Sequence, residues 1–372
     1  MKYCTNCIIP STRPNISFDS RGICNACSAH NSRQDIDWSA REQSFELVVE
    51  NAKSNSRGYD CVIPVSGGKD STWQVVKCLE YGLNPLAVTW KTPVRTKIGS
   101  KNLDNLVNLG VDHIDYQVNP LVERKFLYEG LVKYGSPAIP MHMGIFNIPL
   151  NVAVKFDIPL VVWGENSAFE YGGEHEESLG FRLDHSWIRK YGVTHGTTAE
   201  DWVSLDLTRK QLTPYFGPSS IEIERHGLLA VFLGYYFPWD PETSLSVASK
   251  NGFLSQIGKP RTGYYDYADI DDEFISVHHY LKWYKFGFTR SFDNLSLEIR
   301  NGRISRVDAI QILSERGDDT PHEDIMSLCE YLEIDVSEFF GIIEKFRNTD
   351  VWIRRSGGWK IDGFLIDDWD WK

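Results

Sequence analysis

From position 59 onward, apolar and polar residues follow two alternating periods. Short apolar runs at 60–65, 84–91, 112–118 and 158–163 have the length of strands. The segments between them, 71–81, 98–109, 120–133 and 144–156, space their apolar residues three and four apart, as a helix with one buried face requires. Strand and helix in alternation predict an α/β fold, a doubly wound parallel sheet with helices on both faces. Ligands of such sheets sit at the carboxyl ends of the strands, which directs attention to the loops after positions 65 and 163. An earlier helical pattern at 35–52 carries Trp38, Phe45, Leu47 and Val48 as its apolar members.

Beyond 175 the pattern loosens. Residues 176–225 mix short helical stretches with turns, and 228–236 is one continuous apolar run. Residues 270–348 read as mainly helical, with a turn at Asn301-Gly302 and helix caps at Ser305 and Asp335. The tail, 352–371, alternates like a strand and ends in Asp367-Asp368-Trp369-Asp370-Trp371. Three units follow: an N-terminal ribbon at 1–33, the α/β domain at 34–265 and a mainly helical C-terminal domain at 266–372.

The first predicted strand empties into Ser66-Gly67-Gly68-Lys69-Asp70-Ser71, which opens a helix. Two glycines between strand and helix let backbone N–H groups converge at the positive end of the helix dipole, a device for holding phosphate. The loop is not a kinase-type phosphate loop, because position 63 is Ile and position 70 is Asp, and no G-x-G-x-x-G dinucleotide signature is present. It resembles the SGGxDS pyrophosphate loop of the PP-loop ATP pyrophosphatases (adenine nucleotide alpha hydrolase-like), a superfamily that includes GMP, asparagine and NAD synthetases and tRNA-thiolating enzymes. The resemblance implies ATP cleaved between its α and β phosphates. After the strand at 158–163 comes Gly164-Glu165-Asn166-Ser167-Ala168-Phe169-Glu170-Tyr171-Gly172-Gly173. Its two carboxylates and one amide suit Mg²⁺ on a polyphosphate or a grip on a polar substrate. A third loop, Gly258 to Gly263, offers Lys259 and Arg261 to a departing pyrophosphate, or is simply an exposed basic turn.

Cys4-x-x-Cys7 and Cys24-x-x-Cys27 are two knuckles sixteen residues apart, the spacing of a four-thiolate Zn²⁺ site. Four thiolates close the coordination sphere, so the ion is structural; Pro10, Pro14 and Gly22 between the knuckles suit a turn-rich ribbon. Two disulfides or an iron–sulfur cluster are the alternatives, and disulfides would require an oxidising compartment for which no secretory segment argues. His30, three residues past Cys27, reads as a surface residue once four cysteines are available.

Composition adds boundaries. With 39 Lys+Arg against 51 Asp+Glu, the net charge of −12 argues against nucleic acid as the main partner. No apolar run is long enough for a membrane span, and a cytoplasmic location is expected. Aromatics reach 13% and gather at 235–239 and 264–267, where they read chiefly as packing and secondarily as a pocket wall.

The ribbon, the SGGKDS loop and GENSAFEYGG, together with FLGYYFPWD at 232–240 and YLKWYKFGFTR…IRNGRISRVDAI at 280–310, make nearly the whole chain resemble the N-acetyl sugar amidotransferases (PseA/WbpG/LegA-like) of bacterial surface-glycan biosynthesis. The resemblance implies conversion of a sugar acetamido group to an acetamidino group, with AMP transferred to the amide oxygen before ammonia replaces it. It implies catalytic roles for Lys69, Asp70, Glu165, Asn166 and Glu170, nucleotide contacts from Ser66, Gly67, Gly68, Lys69, Asp70, Ser71, Gly164 and Arg261, and zinc on Cys4, Cys7, Cys24 and Cys27. The substrate would be an acetamido sugar, whether free, nucleotide-activated or lipid-linked. Cys61, Cys78 and Cys329 form no nucleophile motif, so ammonia would come from separate glutaminase and cyclase-like subunits. His142 is a candidate acid or base at the crevice, or a structural histidine. A tRNA-thiolating enzyme and a non-catalytic ATP-binding scaffold are the rival classes; the first would want an additional cysteine pair, and the second is at odds with intact Lys69 and Asp70.

Overall fold

The computed structural model describes residues 1–371, and for His175 the backbone alone. Five parallel strands, β1 (Cys61–Pro64), β2 (Pro85–Trp90), β3 (Asp112–Tyr116), β4 (Leu160–Trp163) and β5 (Leu229–Phe232), form one sheet in the order β3-β2-β1-β4-β5. The alternation along β1 sorts the core: Val62 faces one side with Leu86, Val88 and Val161, while Cys61 and Ile63 face the other with Ala87, Leu160 and Val162. Helices Pro120–Tyr134 and Ile139–Phe156 cover the first face; Trp38–Asn55, Lys69–Glu80 and Lys97–Val107 cover the second. The doubly wound arrangement expected from the pattern is therefore present.

Several boundaries differ for local reasons. The helix expected at 144–156 begins at Ile139, because Pro140 sits in its first turn, where no intrahelical N–H is needed. The apolar run at 228–236 divides into β5 and a single helical turn, Leu233–Tyr236. Ser305 caps its helix through a reciprocal pair with Asp308, whereas the Asp335 side chain makes no capping bond. The tail is an antiparallel hairpin, Trp352–Arg355 with Gly358–Ile361, rather than alternation sustained to its end. Five helices from Phe274–Phe286 to Val336–Glu344 build the C-terminal region. Their core reaches beyond 266–372, taking in Leu127 and Leu131 of the helix Pro120–Tyr134 and Ile8 of the ribbon.

In the ribbon the Sγ atoms of Cys4, Cys7, Cys24 and Cys27 lie within 4.8 Å of one another, all four residues being wholly buried. Cys4–Cys27 and Cys7–Cys24 sulfur separations are 3.9 and 3.7 Å. Those are not disulfide lengths; they match the edge of about 3.8 Å of a tetrahedron with Zn–S near 2.3 Å. The Cys7 and Cys24 backbone N–H groups donate to the Cys4 sulfur at 3.4 and 3.2 Å, as they would to a thiolate. The residues thus fit a closed structural metal centre, and His30 is not part of it. Because the ligand set is four thiolates with no open position, the purified protein is expected to carry zinc and to show no visible charge-transfer band. Metal analysis and an absorption spectrum check this, iron with a brown chromophore being the contrary result. Replacing Cys7 by Ser should release the metal and lower the melting temperature.

Candidate active site

The strand order reverses between β1 and β4, so the helices after these two strands leave on opposite faces and open a crevice between them. Gly67 makes the first loop feasible. Its φ is +89°, and a Cβ there would lie 2.6 Å from the Leu103 backbone nitrogen. Gly68 has an ordinary φ of −68°; its carbonyl accepts from the Ser71 and Thr72 hydroxyls, each at 3.0 Å. Of the two glycines expected to need unusual angles, only Gly67 does. The turn delivers Ser66, Asp70 and Ser71 to a cavity of about 920 Å³, and β4 delivers Gly164 and Glu165 to its other side. Gln74, not singled out in the sequence, also lines it; its amide donates to the Val162 carbonyl at 3.1 Å and ties the helix Lys69–Glu80 to β4.

Asp70 is held from both sides. Lys69 Nζ lies 2.6 Å from Oδ2, and Trp239 Nε1 donates to Oδ1 at 2.9 Å. Lys69 is buried and lies over the rings of Trp239 and Tyr267, reaching the cavity through Asp70 rather than lining it. Two members of the aromatic clusters at 235–239 and 264–267 therefore do touch the site. Burial, reinforced by the charge of Asp70, raises the Glu165 carboxyl to about 7. A buried carboxyl beside the charge of Asp70 that gives up its proton only around neutrality is a site poised for a cation.

Three expected site residues serve the scaffold instead. Asn166 caps the helical turn Ser167–Tyr171, accepting from the Ala168 N–H at 3.0 Å, and its amide donates to the Glu177 carbonyl at 2.8 Å. With the Trp187 indole also donating to Asn166 Oδ1 at 3.3 Å, the amide has no capacity left to orient a substrate. Glu170 is buried in an ion pair with Arg33, and its backbone carbonyl accepts from Arg300 at 2.8 Å. Arg261 pairs with Asp324 in the C-terminal region. Neither Arg261 nor Lys259 lines the cavity.

Further lysine, arginine and histidine side chains that line it come from elements the loop motifs did not indicate. The helix Phe274–Phe286 contributes His278, His279, Lys282 and Lys285, the helix Arg290–Arg300 contributes Arg290, and the ribbon contributes Arg13. Burial lowers Lys282 and Lys285 to about 8, opposed at Lys282 by Asp293 and assisted at Lys285 by the charge of Lys282. His278 Nδ1 and both ring nitrogens of His279 lack hydrogen-bond partners, although His279 Nε2 comes within 3.5 Å of Asp269. Asp269, at a φ of +55°, also receives Arg290 Nε at 3.0 Å. Burial raises its carboxyl, but Arg290 and His279 outweigh burial and leave it well below the usual carboxylate range. His142 lines the cavity too, donating from Nδ1 to the Ala138 carbonyl at 2.7 Å, and burial lowers it to about 4, so the ring is neutral. Only the local helix period at 270–286 signalled this wall, since helical spacing places 278, 282 and 285 on a shared face.

Solved structures with related topology include a predicted subunit of a tRNA methyltransferase from Methanocaldococcus jannaschii, 16% identical, covering 63% of this chain and 91% of that one at a TM-score of 0.32. They also include the NH3-dependent NAD synthetase of Campylobacter jejuni, 15% identical, covering 60% and 100% at a TM-score of 0.30. NMN synthetase from Francisella tularensis is 13% identical, covering 58% and 93% at 0.27. No curated protein matches the sequence. Residues 261–363 match the family model described as LPS biosynthesis protein WbpG-like, C-terminal domain, which is the region that supplies the cationic wall. Residues 261–363 thus carry a WbpG-like C-terminal domain, joined in this chain to the phosphate-type loop and the cysteine ribbon.

Proposed function

We propose that this protein is an ATP-dependent, AMP-forming amidotransferase that converts the acetamido group of a sugar into an acetamidino group. The observation that carries the reading is the convergence of Ser66, Asp70, Ser71 and Glu165 on one cavity that residues of the WbpG-like domain also line. An amide carbonyl carbon is a weak electrophile, and its oxygen is a poor leaving group. In the proposed reaction the amide oxygen attacks the α phosphorus of ATP and pyrophosphate departs, leaving an O-adenyl imidate. Ammonia adds to the imidate carbon, a proton is lost, and AMP leaves carrying the former carbonyl oxygen. The product is the amidine.

Each residue has a defined task in that scheme. The turn at Gly67 and the first turn of the helix Lys69–Glu80 would receive the phosphates. Asp70 and Glu165 would hold Mg²⁺, which neutralises charge on the leaving pyrophosphate. Lys69 positions Asp70 and offsets its charge when no cation is bound. Asn166, Glu170 and Arg261 have no part in it beyond holding the surrounding loops. Among the described residues no cysteine lines the cavity, and Cys61, Cys78 and Cys329 are buried elsewhere. That supports neither sulfur transfer nor an internal glutaminase, so ammonia is proposed to arrive from a separate glutaminase with a cyclase-like subunit.

The direct test is incubation of the purified protein with ATP, Mg²⁺, ammonium and a panel of acetamido sugars, free and nucleotide-linked. AMP should appear together with a sugar whose mass has fallen by the difference between O and NH. AMP formed only with tRNA and a sulfur donor would sink the sugar reading, and no AMP with any acceptor would favour a scaffold. Asp70→Asn and Glu165→Gln should each lower turnover about 10²-fold or more, the scale of losing one preorganised charge-stabilising group. Asn166→Ala should instead cost about 1–2 kcal/mol of stability, the scale of a lost helix cap, seen as a reduced melting temperature with turnover of the folded protein largely kept.

The Glu165 carboxyl sets a pH dependence. Its pKa is raised from the ordinary value to about 7, so it is protonated below that pH and charged above it. A cation needs the charged form; kcat/KM should therefore fall as pH drops through about 7, and raising Mg²⁺ should move that limb to lower pH. The sign for stability is opposite. Between the ordinary carboxyl pKa and 7 the folded state binds the extra proton, so the metal-free protein loses stability as pH rises. Glu165→Gln should flatten that loss, measurable as melting temperature against pH in EDTA.

A further inference from the structure

Between its two cysteine pairs the ribbon sends a loop into the wall of the cavity. Arg13, Pro14 and Asn15 line it. On one side the Thr12 hydroxyl donates to the Phe286 carbonyl at 2.6 Å, at the end of the helix that carries Lys282 and Lys285. On the other, Asn25 Nδ2 donates to the Gly173 carbonyl at 3.0 Å, and the Asn25 amide and Ile16 fit against Gly172, where a Cβ would come within 2.8 Å of Ile16. Gly172 and Tyr171 themselves line the cavity, a few residues after Glu165. The ribbon thus touches both the wall from the C-terminal helices and the loop after β4.

The charge arrangement couples this loop to whatever fills the cavity. Asp293 is buried, and Arg13 Nε at 2.8 Å, Lys282 Nζ at 3.3 Å and Arg290 Nη1 at 3.7 Å all converge on it. Three cations around one carboxylate repel one another, and only Arg290 has a second carboxylate, Asp269, at 3.0 Å. In the empty cavity that repulsion opposes docking of Arg13. A polyanion in the cavity relieves it. Docking in turn depends on the four thiolates, because without an ion the loop between Cys7 and Cys24 is closed by no covalent or coordinate bond and regains its freedom.

We propose that the cysteine ribbon is a working wall of the catalytic cavity, Arg13 its positioning residue, and that metal retention and polyanion binding reinforce each other. The proposal rests on the reading of the cavity as an ATP site. Linkage requires the effect to be mutual: a ligand that holds the loop down must slow loss of the metal.

The test uses the full-length, zinc-loaded protein and follows zinc transfer to 4-(2-pyridylazo)resorcinol with and without saturating α,β-methylene-ATP and excess Mg²⁺. This analogue resists cleavage between the α and β phosphates. Calorimetry measures occupancy independently. Occupied cavities should release zinc about fivefold more slowly or better. Arg13→Gln, which keeps all four thiolates, should lose most of that protection. Binding of the analogue with an unchanged release rate would overturn the coupling while leaving the ATP reading intact, and so would full protection in Arg13→Gln. Absence of binding would overturn the ATP reading and this proposal together.

Discussion

The buried carboxylate of Asp293 organises the site. It is wholly enclosed, yet its carboxyl lies well below the usual range, because burial is outweighed by Arg13, Lys282 and Arg290. Those three cations come from the ribbon and from two successive helices of the C-terminal region. A buried charge without partners is very costly, so the three elements are held within 3.7 Å of one carboxylate. The spacing of the cavity's cationic wall follows from that constraint. So does the attachment of the ribbon, which the metal centre alone would leave as a small independent knot.

The two ends of the cavity differ in character for reasons that suit two chemical tasks. At the β1 and β4 ends a glycine turn, a helix start and the pair Asp70 and Glu165 favour a phosphate chain with its cation. Elsewhere the lining holds cations and unpartnered histidines, and the rings of Trp163, Phe146 and Trp187, which pack on one another, line the same cavity. A polar group presented there would meet donors in a largely enclosed space, where each contact counts for more than in water.

The legible features were local in sequence. Ser66 to Ser71 announced a phosphate turn because strand, glycine and helix start must be contiguous to form one, and Gly67 shows the left-handed φ and the close approach that such a turn needs. The four cysteines announced a metal centre because a C-x-x-C knuckle bends on its own spacing. Glu165 was legible from its place just past a strand. Asn166 and Glu170, read from the same stretch, turn to carbonyls and to Arg33, and residue type and proximity could not tell which side chains would do so. The pairing of Arg261 with Asp324 was hidden for a related reason, since Asp324 lies far along the chain.

By itself the sequence determined the periodic strands and helices, the turn that suits phosphate and the cysteine quartet, because each depends on neighbours within a few residues. Only the tertiary structure decided that Arg13, Lys282, Lys285 and Arg290 face Asp70 and Glu165 across one cavity, and that the ribbon belongs to its wall. Burial and charge pairing set that arrangement, and both are properties of residues far apart in the chain. No local pattern records which buried cation will find which buried carboxylate.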